Sequence, residues 1–459
     1  MVWIVMHEGG VTKTGNGRTR SWIVFWIAFV LLLAVPAAEA GPHVIVDFSG
    51  TPTSGTAPLT VSFRDQSAGS PAGWAWYFGD ETYREPWTLV NGSLGTPANK
   101  SGFSIVATPD GSIVLTGGCN HGPGNTCLIN NETWRSVNYG KTWTQVNASS
   151  GWSPRLGFTS VAMPDNSIIL MGGYGGNYLR DVWVSRDHGS TWTLVNTSGA
   201  PWNTRRDFSS VVLPDGSIVM TGGWYKVPQN VFNDTWRSTD QGKTWLLVNG
   251  SSGWSGRLGH SMVALPDGSI VLMGGYCFTP APFISNETWR STDAGRTWAL
   301  MNPSSGWPAR SDPASVAMPD NSIVLMGGVG NTSSSRYNDT WRSTNYGRTW
   351  TLVNASPGWP ASEYPHGVVM PDSSIILVVS GGLYDVSNEI WRFIPAGSTL
   401  QKPAHTYRLP GMYQVSLQAY NDGMFNSTRK RGYISVNWAF TKGSSGGGVP
   451  LPALAPIVK

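Results

Sequence analysis

Four times the sequence places a tryptophan three residues ahead of an arginine: Trp152 and Arg155, Trp202 and Arg205, Trp254 and Arg257, Trp307 and Arg310. An indole offers a flat apolar face, and a guanidinium offers paired donors to a carboxylate. Converging, these pairs would make a basic, aromatic-rimmed mouth for an anionic or sugar ligand. Stacked on one another, they would be packing clamps, each contributing about 0.5–1 kcal/mol. Counted nine back from a turn proline, the equivalent positions elsewhere are Lys100 and Ser362, so five of six such positions carry a cation. Four residues break the register nearby and could do acid–base work: Asp207, Asp312, Glu363 and Tyr364. Two carboxyl groups about 5–9 Å apart can act as acid and base on a glycosidic bond. His260 and His366 alone are thin support for a copper centre that needs two His and two Tyr converging. No metal or cofactor is expected.

The elements that must position these residues form a repeat. "NDTWRSTDQGKTWLLVN", from Asn233, recurs with small changes from Asn131, Asn286 and Asn338. Each copy reads as a strand, a "PDGS" or "PDNS" turn, a strand ending in Gly-Gly, a variable loop, a third strand with a Trp, a charged turn, and a fourth strand. The Gly-Gly pairs are Gly117-Gly118, Gly172-Gly173, Gly222-Gly223, Gly274-Gly275, Gly327-Gly328 and Gly381-Gly382. Four short strands repeating at about fifty residues are a propeller-blade pattern. The last copy, after Trp391, lacks a fourth strand, and "EPWTLVN" around Trp87 is one without a copy. Trp87–Asn91 is therefore expected to close the ring. The loops after Gly-Gly and the inter-blade connections vary, whereas the turns do not, which marks the former as the adaptable face.

Three resemblances accompany this pattern. "RLGHSMVALPDGSIVLMGG" followed by "NETWRST" resembles a kelch repeat. "STDQGKTW" and "STDAGRTW" resemble the Asp-box of sialidase-type repeats, with Asn138 and Asn345 replacing the Asp in two copies. Both resemblances imply that the phrase builds blades, and kelch-type first strands often start with Arg, which favours the clamp. "APLTVSFRDQSAGSPAGWAWYFGDE", from Ala57, and "HTYRLPGMYQVSLQAYNDG", from His405, resemble the two halves of a PKD domain, an immunoglobulin-like sandwich, with Tyr77 where the family has Asp. The resemblance implies an all-β protein, a six-bladed β-propeller inserted into an immunoglobulin-like PKD β-sandwich, of the kind found on archaeal or bacterial surfaces.

Arg18 and Arg20, an apolar run from Trp22 to Val35 and Ala38-Glu39-Ala40 read as an export signal, with an uncleaved anchor as the alternative. The expected divisions are a signal at 1–40, sandwich halves at 41–81 and 399–437, the propeller at 82–398 and a flexible tail at 438–459. Of three cysteines, Cys119 and Cys127 are close enough in sequence to close a loop, leaving Cys277 free. A net charge of +4 without a long basic run gives no reason to expect nucleic acid. A membrane would be met only through an uncleaved signal. Twelve Asn-x-Ser/Thr sequons occur, most of them inside the repeated phrases. The expectation is a secreted or cell-surface binding or adhesion protein for an extracellular glycan or surface protein, with Lys100, the four Trp–Arg pairs and the variable loops as its face. The alternative is a sialidase-like glycoside hydrolase using Asp207, Asp312, Glu363 and Tyr364.

Overall fold

The computed structural model describes residues 44–92, 100–122, 126–196, 199–226, 230–278, 281–332, 335–380, 388–421 and 424–438. The expected signal, Gly381-Gly382 and the tail after Trp438 lie outside them. Among the described residues every regular element is a strand.

The third repeat shows how the sequence folds. Ser209–Val212, Ile218–Thr221, Thr235–Ser238 and Leu246–Asn249 pair antiparallel in chain order. The first turn is fixed by Asp215, whose carboxylate accepts from the Ser217 amide (2.9 Å) and hydroxyl (2.6 Å). Ile218, Val219 and Met220 are fully buried. An apolar run on both faces is what a strand needs when a neighbouring sheet covers each side. The turn between third and fourth strands holds itself. Asp240 accepts from the Thr244 amide (2.8 Å) and hydroxyl (2.6 Å), and Ser238 Oγ accepts from the Gly242 amide (2.9 Å). Asn138 makes the same turn, its amide donating to Thr142 Oγ1 (2.8 Å), so the Asp-to-Asn exchange is tolerated.

Six four-stranded sheets share this arrangement. Their first strands, Ser104–Ala107, Thr159–Ala162, Ser209–Val212, Ser261–Ala264, Ala314–Ala317 and His366–Val369, touch in that order, and the last touches the first. The cycle is completed from upstream. Thr88–Asn91 pairs with Asn388–Phe393, Leu89 lying opposite Trp391. Among the described residues a side-chain latch joins sheets to their neighbours at five of the six junctions. Asn147 Nδ2 donates to Ser190 O, Asn249 to Arg296 O and Asn302 to Arg348 O, each at 2.8 Å. Asn91 Nδ2 donates to Lys141 O (3.1 Å), which ties the last sheet to the first. The sequons at Asn91, Asn147 and Asn249 thus serve the repeat.

Two further sheets take strands from both ends of the chain. One contains Phe48–Thr51, Leu59–Asp65 and Ala404–Tyr407; the other Ser54–Thr56, Gly73–Tyr77, Gly411–Asn421 and Met424–Asn437. Between them lies a core of Phe48, Val61, Phe63, Trp76, Leu417 and Ile434. Strand alternation turns Ala75 and Tyr77 the other way. Both are fully buried, in one apolar cluster with Tyr83, Trp87, Met318, Trp359 and Phe393 of the cycle. Tyr77 is therefore an interface residue. Polar contacts meet the uniform turns: Gln418 Nε2 donates to Pro371 O (2.7 Å), Gln414 Nε2 to Asp320 O (3.1 Å) and Arg431 to Tyr346 Oη (2.7 Å). The sandwich is fused to the turn side, and the variable loops face away from these contacts.

Cys119 and Cys127 are joined by a disulfide, with Cα atoms 5.4 Å apart, and Cys277 is free and buried.

Candidate functional site

The arginines do not form a mouth. Arg155, Arg205, Arg257 and Arg310 are fully buried, as are Trp152, Trp202, Trp254 and Trp307 within 2% exposure. Each guanidinium has three internal acceptors. In the fifth repeat, Arg310 Nε donates to Pro308 O (3.1 Å), Nη1 to Gly327 O (2.8 Å), and the fork to Asp339 (2.6 and 2.8 Å). Asp181, Asp234 and Glu287 take the same place opposite Arg155, Arg205 and Arg257. Burial pushes the Asp181 carboxyl up, but the Arg155 guanidinium outweighs it and holds the group below its ordinary value. Each arginine also lies over its tryptophan, 5.6–6.0 Å from the ring. Lys100 does the same work with one nitrogen, donating to Gly117 O (3.0 Å) and Asn130 Oδ1 (2.9 Å) and pairing with Glu132 at 3.4 Å. Burial pulls Lys100 down to about 8. These nine residues are clamps with no surface to offer a ligand, because their charge is already matched inside.

Sequence reasoning missed the matching acids. Glu132, Asp181, Asp234, Glu287 and Asp339 each sit two residues before the third-strand Trp, and their carboxylates also accept that Trp's indole N–H (2.7–3.1 Å). The signal was present, for all but Asp181, as the acid of the repeated "N[DE]TW" phrase.

The register-breaking acids do come together. Gly102, Gly157, Asp207, Gly259 and Asp312 occupy one position in successive repeats, all with φ between +54° and +62°. Their backbones form a hydrogen-bonded chain around the axis. Gly157 N donates to Gly102 O (3.4 Å), Asp207 N to Gly157 O (2.7 Å), Gly259 N to Asp207 O (3.0 Å) and Asp312 N to Gly259 O (2.6 Å). Glycine suits this left-handed conformation, and aspartate is among the few others that tolerate it. The aspartates gain room from their glycine neighbours. A Cβ on Gly157 would lie 2.4 Å from Asp207 Oδ1, and one on Gly259 2.5 Å from Asp312 Oδ1.

Two carboxyl groups thus stand at the axis with partly open side chains. Burial pushes Asp312 up to about 7, and the Asp207 charge adds to the rise. Burial also raises Asp207, opposed by Arg206 and by the Trp224 indole, which donates to Asp207 Oδ2 (2.8 Å). Tyr364 is 38% exposed, and the Asp312 charge holds its phenol up. Glu363 is instead taken by Arg336, whose Nε donates to it (2.7 Å).

Beside the acids lies a group the sequence analysis did not select. Arg206 stacks on Trp224 (4.5 Å) and Tyr174 (5.5 Å) and approaches Asp207 at 3.3 Å. Tyr178 meets Tyr174 (5.0 Å), Trp224 (5.6 Å) and Tyr225 (4.8 Å). The histidines are elsewhere. His260 bonds Thr221 (2.9 Å) and His366 packs on Phe103 (4.4 Å), and burial holds both rings neutral, down to about 3 and about 4. Surface hollows lined by Val184, Thr191 and Lys243, and by Asp215, Arg237 and Arg296, lie among the uniform turns instead.

With this geometry in hand, the relatives can be placed. Residues 75–275 match the KLHDC2/KLHL20/DRC7 Kelch-repeats domain. Residues 75–275 are thus similar to kelch repeats, and the cycle of sheets is a β-propeller. The solved structure of YjhT superposes on 72% of this chain and 98% of its own, with a TM-score of 0.50 at 16% identity, a likeness of fold alone. A xyloglucanase of Paenibacillus sp is 30% identical over 184 residues, and Xyloglucanase Xgh74A of Acetivibrio thermocellus is 29% identical over 189. Each match takes in 34% of this chain and only 17% and 20% of those proteins, so the chain spans a small part of their length.

Proposed function

We propose that the protein is an exported, cell-surface carbohydrate-binding protein: a six-bladed kelch and Asp-box propeller inserted into a PKD-type sandwich, presenting its variable-loop face to a glycan. The observation that carries this reading is the asymmetry of the two faces. The sandwich sits against the uniform turns of the fifth and last repeats, through Tyr77, Gln414 and Gln418. The opposite face gathers the residues that break the repeat, Asp207, Asp312 and Tyr364, beside partly exposed aromatic rings. Flat rings next to hydrogen-bonding groups are what a sugar site requires. The partial likeness to two xyloglucanases supports a carbohydrate ligand over a protein one. The sandwich serves as the spacer that holds the free face outward.

A second reading, glycoside hydrolysis at the same mouth, is favoured by Asp312. A carboxyl pushed up to about 7 beside another that Arg206 opposes in its rise resembles an acid and base pair. A glycan array with the exported chain, followed by product analysis on each retained glycan, tests both. Retention without shortened products supports binding alone. Products that vanish in Asp312→Asn support hydrolysis, and an array with no retained glycan overturns both.

A further inference from the structure

The Arg206 neighbourhood has more structure than a packing role requires. Tyr174 and Tyr178 face each other across the second-repeat loop, and Trp224 and Tyr225 come from the third-repeat loop. All four rings are partly exposed, so their apolar faces are only half covered. They form one continuous run because Tyr178 touches the other three. The run ends at the axis, where the Trp224 indole is oriented by Asp207 Oδ2 (2.8 Å). Arg206 lies between Trp224 and Tyr174, and its Nε finds no hydrogen-bond partner among the described residues, although the Asp207 carboxylate is 3.3 Å away. At the other end Lys226 lies over Tyr225 at 5.3 Å.

We infer that Tyr174, Tyr178, Trp224 and Tyr225 are a stacking platform for a neutral pyranose chain with equatorial substituents, and that Asp207 and Asp312 hydrogen-bond its hydroxyls. The inference rests on the carbohydrate-binding reading above and names the ligand class for it. Pyranoses of this kind present axial C–H groups on a flat face, which suits an aromatic ring, and direct hydroxyls outward to carboxylates. Charge decides between neutral and acidic sugars. The cations first expected to greet an anion, Arg155, Arg205, Arg257 and Arg310, are buried against acids. At the mouth itself Arg206 faces Asp207 and Arg336 is tied to Glu363. At the axis an acidic sugar would meet Asp207 and Asp312, with Arg206 already facing Asp207 and Lys226 at the outer end of the platform, over Tyr225. The rings span two repeats, so more than one sugar unit is engaged.

Hydroxyethylcellulose and carboxymethylcellulose share one β-glucan backbone and differ in charge, which makes them the probes. Affinity electrophoresis of the full chain should show retardation by hydroxyethylcellulose and little by carboxymethylcellulose. Trp224→Ala should weaken retardation roughly ten-fold or more, as expected for a central aromatic anchor. Tyr225→Ala, which removes a ring at the outer end, should weaken it less while leaving the melting temperature near that of the native chain, so a folding defect in Trp224→Ala alone cannot mimic the result. Stronger retardation by carboxymethylcellulose, or unchanged affinity in both variants, would overturn the platform. So would binding to a proline-rich peptide in place of either polymer. If hydroxyethylcellulose fails but an array retains another glycan, the platform falls and the carbohydrate-binding reading stands. If no glycan is retained, both fall.

Discussion

Replacing Arg310 by alanine separates a clamp from a ligand contact. The guanidinium is fully buried and is bonded to Asp339, Gly327 O and Pro308 O. Its loss leaves the Asp339 carboxylate, only 15% exposed, with the Trp341 indole as its remaining hydrogen-bond donor (2.7 Å). Removing one partner of a buried pair costs about 3–5 kcal/mol, because the other charge stays behind undischarged. Stability should therefore fall by about that amount, measured as the urea unfolding free energy. The loss should hardly change between low and high salt, since a buried pair is poorly screened. Arg310→Lys should recover only part of it, because an ammonium cannot reproduce the two-pronged fork. Glycan binding at the folded variant's mouth should persist. A loss below about 1 kcal/mol, the size of an exposed pair, together with strong salt dependence, would refute the clamp and return Arg310 to the surface.

Two further outcomes are expected. Asp312 is held up to about 7 in the folded chain, above its ordinary value, so its contribution to stability is full below about pH 4 and is lost as pH rises through about 7. Burial also holds Glu81 up to about 7 and adds to the same slope; Asp312→Asn should therefore flatten, not abolish, the fall in melting temperature between those limits, and identical curves would contradict the assignment. Deleting Thr88–Asn91 should leave Asn388–Phe393 as a bare sheet edge and cause concentration-dependent association in light scattering; a monomeric deletion variant would show that the strand is dispensable for closure.

The architecture was legible because it is written many times. Six Gly-Gly pairs mark the repeat, although the second strands run through Gly172-Gly173 to Tyr174 and through Gly327-Gly328 to Val329, and one surplus "TWTLVN"-like strand at Trp87 matches one missing from the end. The sandwich was legible from two apolar, aromatic segments separated by the repeats. The site was not. Charge alone cannot say whether an arginine faces water, and here the deciding partner lies twenty-six to thirty residues downstream, as Asp181 does for Arg155 and Glu287 for Arg257. Nor does an aspartate in a glycine's place announce the axis. Only the hydrogen-bonded chain from Gly102 to Asp312 shows that Asp207 and Asp312 share a rim. The aromatic run at Tyr178 depends on two loops of unlike sequence meeting, and no pattern in either loop predicts that.

The pairing of Leu89 with Trp391 has a consequence for how the chain is assembled. The upstream strand must wait through roughly three hundred residues before its partner exists. The sandwich waits as long, since Leu59–Asp65 pairs with Ala404–Tyr407. Five of the six sheets can form from neighbouring segments as they arrive, but the sixth and the whole sandwich become available only when the C-terminal segments arrive. Both closures share the connection through Tyr83 and Trp87, whose rings lie in the same cluster as Tyr77. Closure of the ring and of the sandwich therefore both come late, and such non-local closure is slow. Until then the early segment carries an unpaired strand edge, the kind of surface on which partly folded chains associate. A chain so built gains from staying extended until its last strands have appeared, and a truncation that removes everything from Asn388 onward would open the ring and the sandwich at once.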